Sequence, residues 1–213
     1  VAHAEELVRL ESWRPPTTVQ VLDARGRVAD RFSLVRRVWV PIDALPPVLV
    51  DAVITAEDRR FFEHAGVDAL GILRAAISNL SAGQVHQGGS TITQQVVKNL
   101  VVGSDRTFSR KVHEAVLALR LEQWMSKREI LEIYLNLIYL GSGNHGVEAA
   151  ARDFLGVSAK DLDLAGAALL AGLIPAPSRY SPRTDPDLAR ARRDRVLDAM
   201  LERNEITPEA HRA

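Results

Sequence analysis

PPVLVDAVITAEDRRFFEH, residues 46–64, sets the character of the chain. Pro46-Pro47 suits the first turn of a helix, where a missing N–H costs nothing, so a helix is expected from about Val48. Around Glu57, Val53 and Ile54 stand at i−4 and i−3, and Phe61 and His64 at i+4 and i+7. Those positions share one face of a helix, which puts Glu57 on an apolar stripe. A carboxylate there is costly unless it is paired or useful, and burial raises its pKa. A raised pKa is what a general base near neutral pH requires. Spacing alone fits equally well a structural Glu paired with Arg59 or Arg60.

Outward from this stretch the apolar pattern stays helical. Helices are predicted over 48–60, 67–81, 91–101, 107–125, 127–137, 145–154, 161–172 and 186–203, punctuated at Gly88-Gly89 and Gly141-Ser142-Gly143. Upstream, TTVQVLDARGRVADRF (17–32) alternates apolar and polar around a D-A-R-G-R turn and reads as a β-hairpin. Residues 1–12 read as a short amphipathic helix. In the last long helix Arg190, Arg192, Arg193 and Arg195 mix with Asp187, Asp194 and Asp198, which reads as a solvated charged face.

Glu114 repeats the pattern of Glu57, with Leu117, Ala118 and Leu121 at i+3, i+4 and i+7. Two such glutamates far apart in sequence fit a cleft with opposed carboxylates, as in work at a glycosidic carbon. Bracing of a helix through Arg110 or Arg120 is the plainer alternative. Between the two lies GGSTITQQ (88–95). Thr91 with Gln94 matches a capping box, so a helix begins there, and its free N–H groups suit a phosphate oxygen. Ser90 adds a hydroxyl, and Thr91, Gln94, Gln95 and Lys98 form a polar stripe that an ordinary surface helix would also show. Lys98, Arg106, Arg110 and Lys111 follow, opposed only by Asp105. They can seat a diphosphate through charge-assisted bonds of about 1.5–3 kcal/mol each, or form a basic surface patch.

Composition removes several classes of function. The formal net charge is +0 and aromatics are 5%, which argues against nucleic acid as a partner. Cys is absent, so disulfides, cysteine-bound zinc and a thiol nucleophile are excluded. His64, His86, His113 and His145 lack zinc spacing, and no P-loop, dinucleotide fingerprint or G-x-S-x-G elbow is present. No apolar run reaches the roughly 18 residues of a membrane span; the nearest, Leu164 to Ile174, is interrupted by Gly166 and Gly172. The expectation is a water-soluble chain. The start VAHAEELVRL, with no initiator Met and no signal peptide, reads as a trimmed part of a longer protein.

EDRRFFEHAGVD (57–68), GGSTITQQVVKN (88–99), RKVHE (110–114), REILEIYLNLIYLGSGNHGVEAAA (128–151) and LLAGLIPAPSRYSP (169–182) occur in this order. Together they resemble the five signature motifs of the peptidoglycan glycosyltransferases, found in class A penicillin-binding proteins and in monofunctional glycosyltransferases. The resemblance covers about residues 40 to 200. It departs at Val96, at Gly166, where an acidic residue is common, and at Phe154-Leu155, where an aromatic pair is usual. None of these touches the proposed chemistry.

The resemblance implies a mainly α fold with a lysozyme-like helical head lobe, a smaller membrane-facing jaw lobe and, here, a short N-terminal β-hairpin. Its expected layout is a linker and hairpin over 1–40 and a glycosyltransferase domain over 41–205. The jaw would be inserted at about 66–110, and 206–213 would be a tail toward an absent C-terminal module. It implies polymerisation of lipid II into β-1,4 glycan strands, with inversion and release of undecaprenyl pyrophosphate, at the extracytoplasmic (periplasmic) face of the bacterial cell membrane. Glu57 would be the catalytic base and Glu114 the second essential glutamate. Lys98 and Arg106 would grip the donor pyrophosphate. Asp58, His64, Ser90, Thr91, Gln94, Gln95, Arg110, Lys111, Glu132, Tyr134 and Asn136 would be substrate-binding cleft positions. No cofactor is required, with a divalent cation (Mg or Mn) as an optional aid. The implied partners are lipid II, the growing glycan strand, the membrane surface, a transpeptidase module and cell-wall synthesis proteins. A lysozyme-like lytic transglycosylase and a non-catalytic lipid II-binding module are the competing readings.

Overall fold

A computed structural model describes residues 19–22, 28–32, 37–74, 89–100 and 108–212. The helix expected over residues 1–12 lies outside them. The N-terminal hairpin pairs β1 (Val19–Leu22) with β2 (Val28–Phe32), antiparallel, Val19 opposite Phe32 and Leu22 opposite Val28, with a bulge between Val21 and Leu22. From Ile42 onward helices dominate, as expected.

Helix α1 (Pro47–Glu57) starts on Pro46 and Pro47 and buries Leu49, Ala52, Val53 and Ile54, the i, i+3, i+4 stripe of an amphipathic helix. It ends earlier than expected. Asp58 leaves helical geometry at φ −156°, and residues 59–66 continue as turns and bends. Phe61 and His64 therefore reach the site on a turn, and helical i+4 and i+7 spacing does not describe them. Gly66 makes this turn fit. At φ +90° a side chain is strained, and a Cβ would lie 2.6 Å from the Ala118 carbonyl oxygen. The turn thus rests directly on the backbone of the long helix over Phe108–Trp124. Residues 69–74 are helical, inside the span predicted from 67.

Helix α2 (Ile92–Leu100), α3 (Phe108–Trp124) and α4 (Lys127–Leu137) follow. The capping box read at Thr91 and Gln94 is formed: the Gln94 N–H donates to Thr91 Oγ1 (3.1 Å) and the Thr91 N–H to Gln94 Oε1 (3.0 Å). Ser126 and Glu129 close a second box at the start of α4. Ile92, Val96 and Val97 are fully buried and join the same core as Leu117, Leu121, Ile130, Leu131 and Leu135. Each such side chain contributes about 1.5–3 kcal/mol on burial, so α2 is fixed by packing as well as by its cap.

A two-stranded turn that the sequence pattern does not reveal, β3 (Tyr139–Gly141) with β4 (Asn144–His145), leads into α5 (Val147–Leu155). Helix α6 (Leu164–Leu173) is apolar all round and is buried between α1 and α7 (Pro186–Glu202). Asp163 caps α6 by accepting the Gly166 N–H at 2.7 Å. At Gly172 a Cβ would approach the Arg192 carbonyl carbon to 3.0 Å, so glycine is what lets α6 and α7 close on each other. A last short helix, α8 (Pro208–Arg212), occupies most of the expected tail. Among the described residues no helix is long and apolar enough to cross a membrane.

Candidate active site

Glu57 is the last residue of α1, so its side chain projects from a helix end into the space beside α2. It is partly buried. Gln95 Nε2 donates to Glu57 Oε2 at 2.7 Å, and the Tyr134 hydroxyl donates to Gln95 Oε1 at 3.2 Å. The carboxylate accepts only, so the amide must turn its NH2 toward Glu57 and its oxygen toward the phenol. Tyr134 is fully buried, which holds this relay in one arrangement. Burial raises the Glu57 pKa above the ordinary carboxylate value, and Asp58 adds to the rise. The Gln95 amide, the Arg192 charge and Tyr134 work against it without cancelling it. The Tyr134 phenol is pushed well above its usual value by its own burial and then by the charge on Glu57, so it stays a donor.

Glu148, on α5, shows what a structural glutamate looks like in the same fold. It is buried, but it accepts from the Ala159 N–H (2.7 Å), from Ser158 Oγ and from Arg152 Nε (2.5 Å). Burial raises its pKa, and those donors together outweigh burial, so the net shift is downward. Both glutamates are withdrawn from water, and only Glu57 is left a stronger base than usual.

Asp58 and His64 are both buried and paired, His64 Nε2 lying 3.0 Å from Asp58 Oδ2. Asp58 Oδ2 also accepts the Ile92 N–H at 3.0 Å, which ties the turn after Glu57 to the start of α2. Thr91 is buried, and its hydroxyl donates to the Gly66 carbonyl at 2.6 Å. The stripe read from the sequence is therefore not one exposed face: Thr91 and Gln94 are buried in the cap, Gln95 is half-buried on Glu57, and Lys98 alone is exposed.

Glu114 is buried on α3. It pairs with Arg110 Nη1 at 2.9 Å and with Lys111 Nζ at 3.1 Å, and Lys111 also donates to Ser90 Oγ at 2.8 Å. The second glutamate thus gathers two cations beside the N-terminal end of α2, while the first meets α2 one turn further along at Gln95. Arg106 lies outside the described residues. Among the described residues no group of His, Asp and Glu converges as a metal-binding set.

Glu132 and Asn136 are placed elsewhere. Glu132 accepts from Trp39 Nε1 (3.1 Å) and the Ile42 N–H (2.9 Å). Asn136 pairs with both backbone groups of Val40, at 2.8 and 2.9 Å. These two side chains of α4 hold the segment 39–42 against the helix. Arg192, assigned to a solvated face from its charged neighbours, is partly buried instead. Its guanidinium lies over the Tyr180 ring at 4.7 Å and its charge acts on Glu57. A mixed run of Arg and Asp carries no sign of this; only the packing of α7 against α1 and α6 reveals it.

Glu57 thus stands at a helix end against α2, and Glu114 pairs with Arg110 and Lys111, the latter on Ser90 just before that helix begins. The chain belongs to the transglycosylase family, whose profile matches residues 25–201. It is 48% identical over 202 residues to penicillin-binding protein 1A of Aquifex aeolicus (strain VF5), covering 95% of this chain and 28% of that protein. It is 46% identical over 198 residues to penicillin-binding protein 1A of Neisseria flavescens, covering 93% and 25%. The chain thus spans about a quarter of the length of these relatives. The crystal structure of penicillin-binding protein 1A from Haemophilus influenzae has the same fold, with a TM-score of 0.54 at 24% identity, over 94% of this chain and 20% of that one.

Proposed function

We propose that this domain polymerises lipid II into β-1,4 glycan strands, with Glu57 as general base. The observation that carries the reading is the state of Glu57: a raised pKa, a fixed donor on one oxygen, and contact with α2, the helix whose preceding residue Ser90 is held by Lys111. In the step proposed, Glu57 takes the proton from the 4-hydroxyl of the acceptor sugar. The hydroxyl oxygen bonds to the anomeric carbon of the donor strand while the bond to its pyrophosphate breaks. The electron pair leaves with undecaprenyl pyrophosphate, and the configuration inverts from α to β. A positioned base contributes roughly 10²–10⁴ in rate.

A diphosphate is already a weak base and needs its growing charge balanced more than it needs a proton. Lys98, Arg110 and Lys111 are the described cations for that task, with Arg106 expected to join them. Glu114 fits an organising role, because both of its oxygens face cations. A hydrolase would need it as an acid; here its place is to hold Arg110 and Lys111 in position. The reaction in this reading requires no metal, which titration with a chelator would check. Lipid II as substrate places the domain at the extracytoplasmic face of the bacterial membrane. The much longer relatives make a transpeptidase module an expected neighbour.

The direct test is incubation of the domain with labelled lipid II in detergent and separation of the products on a gel. Polymer with released undecaprenyl pyrophosphate supports the proposal. Cleavage of added glycan with no use of lipid II would favour a lytic enzyme, and binding without turnover a carrier module.

A further inference from the structure

Lys127 is the first residue of α4, where a cation meets the positive end of the helix dipole. Its placement has other reasons. Its Nζ donates to Glu122 Oε1 at 2.7 Å, lies 4.4 Å above the centre of the Phe61 ring and sits 3.4 Å from His64 Nδ1. Glu122 in turn accepts from the hydroxyl of Thr93, a buried residue of α2. The far ring nitrogen, His64 Nε2, faces both oxygens of Asp58, at 3.1 and 3.0 Å.

An ammonium group has three donors and no acceptor. The nitrogen it faces must therefore offer a lone pair, because an N–H there would set donor against donor. Nδ1 of His64 is then an acceptor, and Nε2, which faces two carboxylate oxygens, carries the N–H and donates to Asp58. That leaves the Asp58 carboxylate free to accept the Ile92 N–H at the start of α2. Ile92 lies one turn before Gln95, the residue that holds Glu57. The chain of contacts runs from Lys127 through the imidazole and Asp58 to the helix that presents Gln95.

We propose that Lys127 is a positioning residue for the transfer reaction: it donates to His64 Nδ1 and so holds the ring with Nε2–H on Asp58, so that Asp58 pins α2 and α2 presents Gln95 to Glu57. This rests on the function proposed above for Glu57, but its first readout does not depend on turnover. Lys127 touches neither Glu57 nor the cation cluster, and it acts through the turn that follows α1.

The experiment uses the full domain labelled with ¹⁵N-histidine, together with the lipid II assay. Wild type shows His64 as the Nε2–H tautomer alone. Lys127→Met keeps a long apolar stem over Phe61 and removes the donor. Nδ1 of His64 then loses its donor and its ¹⁵N shift moves, and kcat falls about 10–100-fold, since a small misplacement near the reacting groups costs up to about 10²-fold, while KM for lipid II stays within about twofold. Lys127→Arg restores the Nδ1 shift and most of kcat. Should Lys127→Met not fold, Lys127→Leu, which likewise has no donor, carries the same comparison. An Nδ1–H tautomer in wild type overturns the proposal, as does an unchanged Nδ1 shift in the variant or a changed shift with unchanged kcat. Absence of turnover in wild type would instead strike the proposed function, and the shift comparison would still stand.

Discussion

Tyr134→Phe removes one oxygen from the fully buried ring that supports Glu57, and its effects can be worked through. The phenol donates to Gln95 Oε1 at 3.2 Å, and that bond turns the amide so that Nε2 reaches Glu57. Losing a hydrogen bond of this kind costs about 0.5–1.5 kcal/mol net, and leaving a buried acceptor unmatched costs about 1–3. Gln95 is only half-buried and can recruit water, so the expected loss of stability is about 1–2 kcal/mol by urea denaturation. The kinetic effect has a definite sign. Both Gln95 and Tyr134 favour the ionised form of Glu57, so removing the phenol raises the Glu57 pKa further. A base works only when ionised, so the acid limb of kcat/KM moves to higher pH. Each unit of that displacement corresponds to about 1.36 kcal/mol. Well above the limb, the rates of variant and wild type converge to within the cost of a looser Gln95. The assay is polymer formation from labelled lipid II across a pH series. A limb that stays in place or moves to lower pH would refute the reasoning.

Other consequences follow from the same contacts. Because the folded-state pKa of Glu57 is raised, its contribution to stability is full below the ordinary carboxylate pKa and is lost as pH rises through the raised value. Glu57→Gln should therefore melt at a higher temperature than wild type near neutral pH, with the difference vanishing in acid; calorimetry at the two pH values checks this. Glu148 has the opposite sign. Its pKa is lowered, so its contribution is present above the ordinary carboxylate pKa and is lost as pH falls through the folded value. Glu148→Gln should cost about 2–4 kcal/mol near neutral pH and less in acid, as for other buried carboxylates that lose charged partners, while the activity per folded molecule is retained. Arg192→Met should raise the acid limb of kcat/KM, because it removes a charge that favours the Glu57 carboxylate, and should leave KM for lipid II nearly unchanged; a limb that does not move would remove Arg192 from the electrostatics of the site.

Much of this was legible in local pattern. Pro46-Pro47, the Thr91 and Gln94 box and the glycine breaks mark helix ends, and the helices stand close to where those signals put them. The apolar neighbours of Glu114 at i+3, i+4 and i+7 are buried as the spacing requires. The end of α1 was not legible. Asp58 breaks the helix because its carboxylate is claimed by Ile92 and His64, and one of those partners lies 34 positions away. The relay from Tyr134 through Gln95 to Glu57 spans 39 and 38 positions and leaves no period in the sequence. Arg192 was hidden for a related reason. Its neighbours Arg193 and Asp194 do pair at the surface, and one residue of a charged run can turn inward without changing the run. Periodicity reports which face of a helix is apolar. It does not report which polar side chain will find a partner on another helix.

The most direct measurement of the central claim is the fate of labelled lipid II with Glu57→Gln. The variant keeps the shape of the side chain and loses its basicity. The expected result is a folded protein that still binds lipid II and forms no polymer at any pH. Polymer made at a rate near that of the wild-type domain would contradict it.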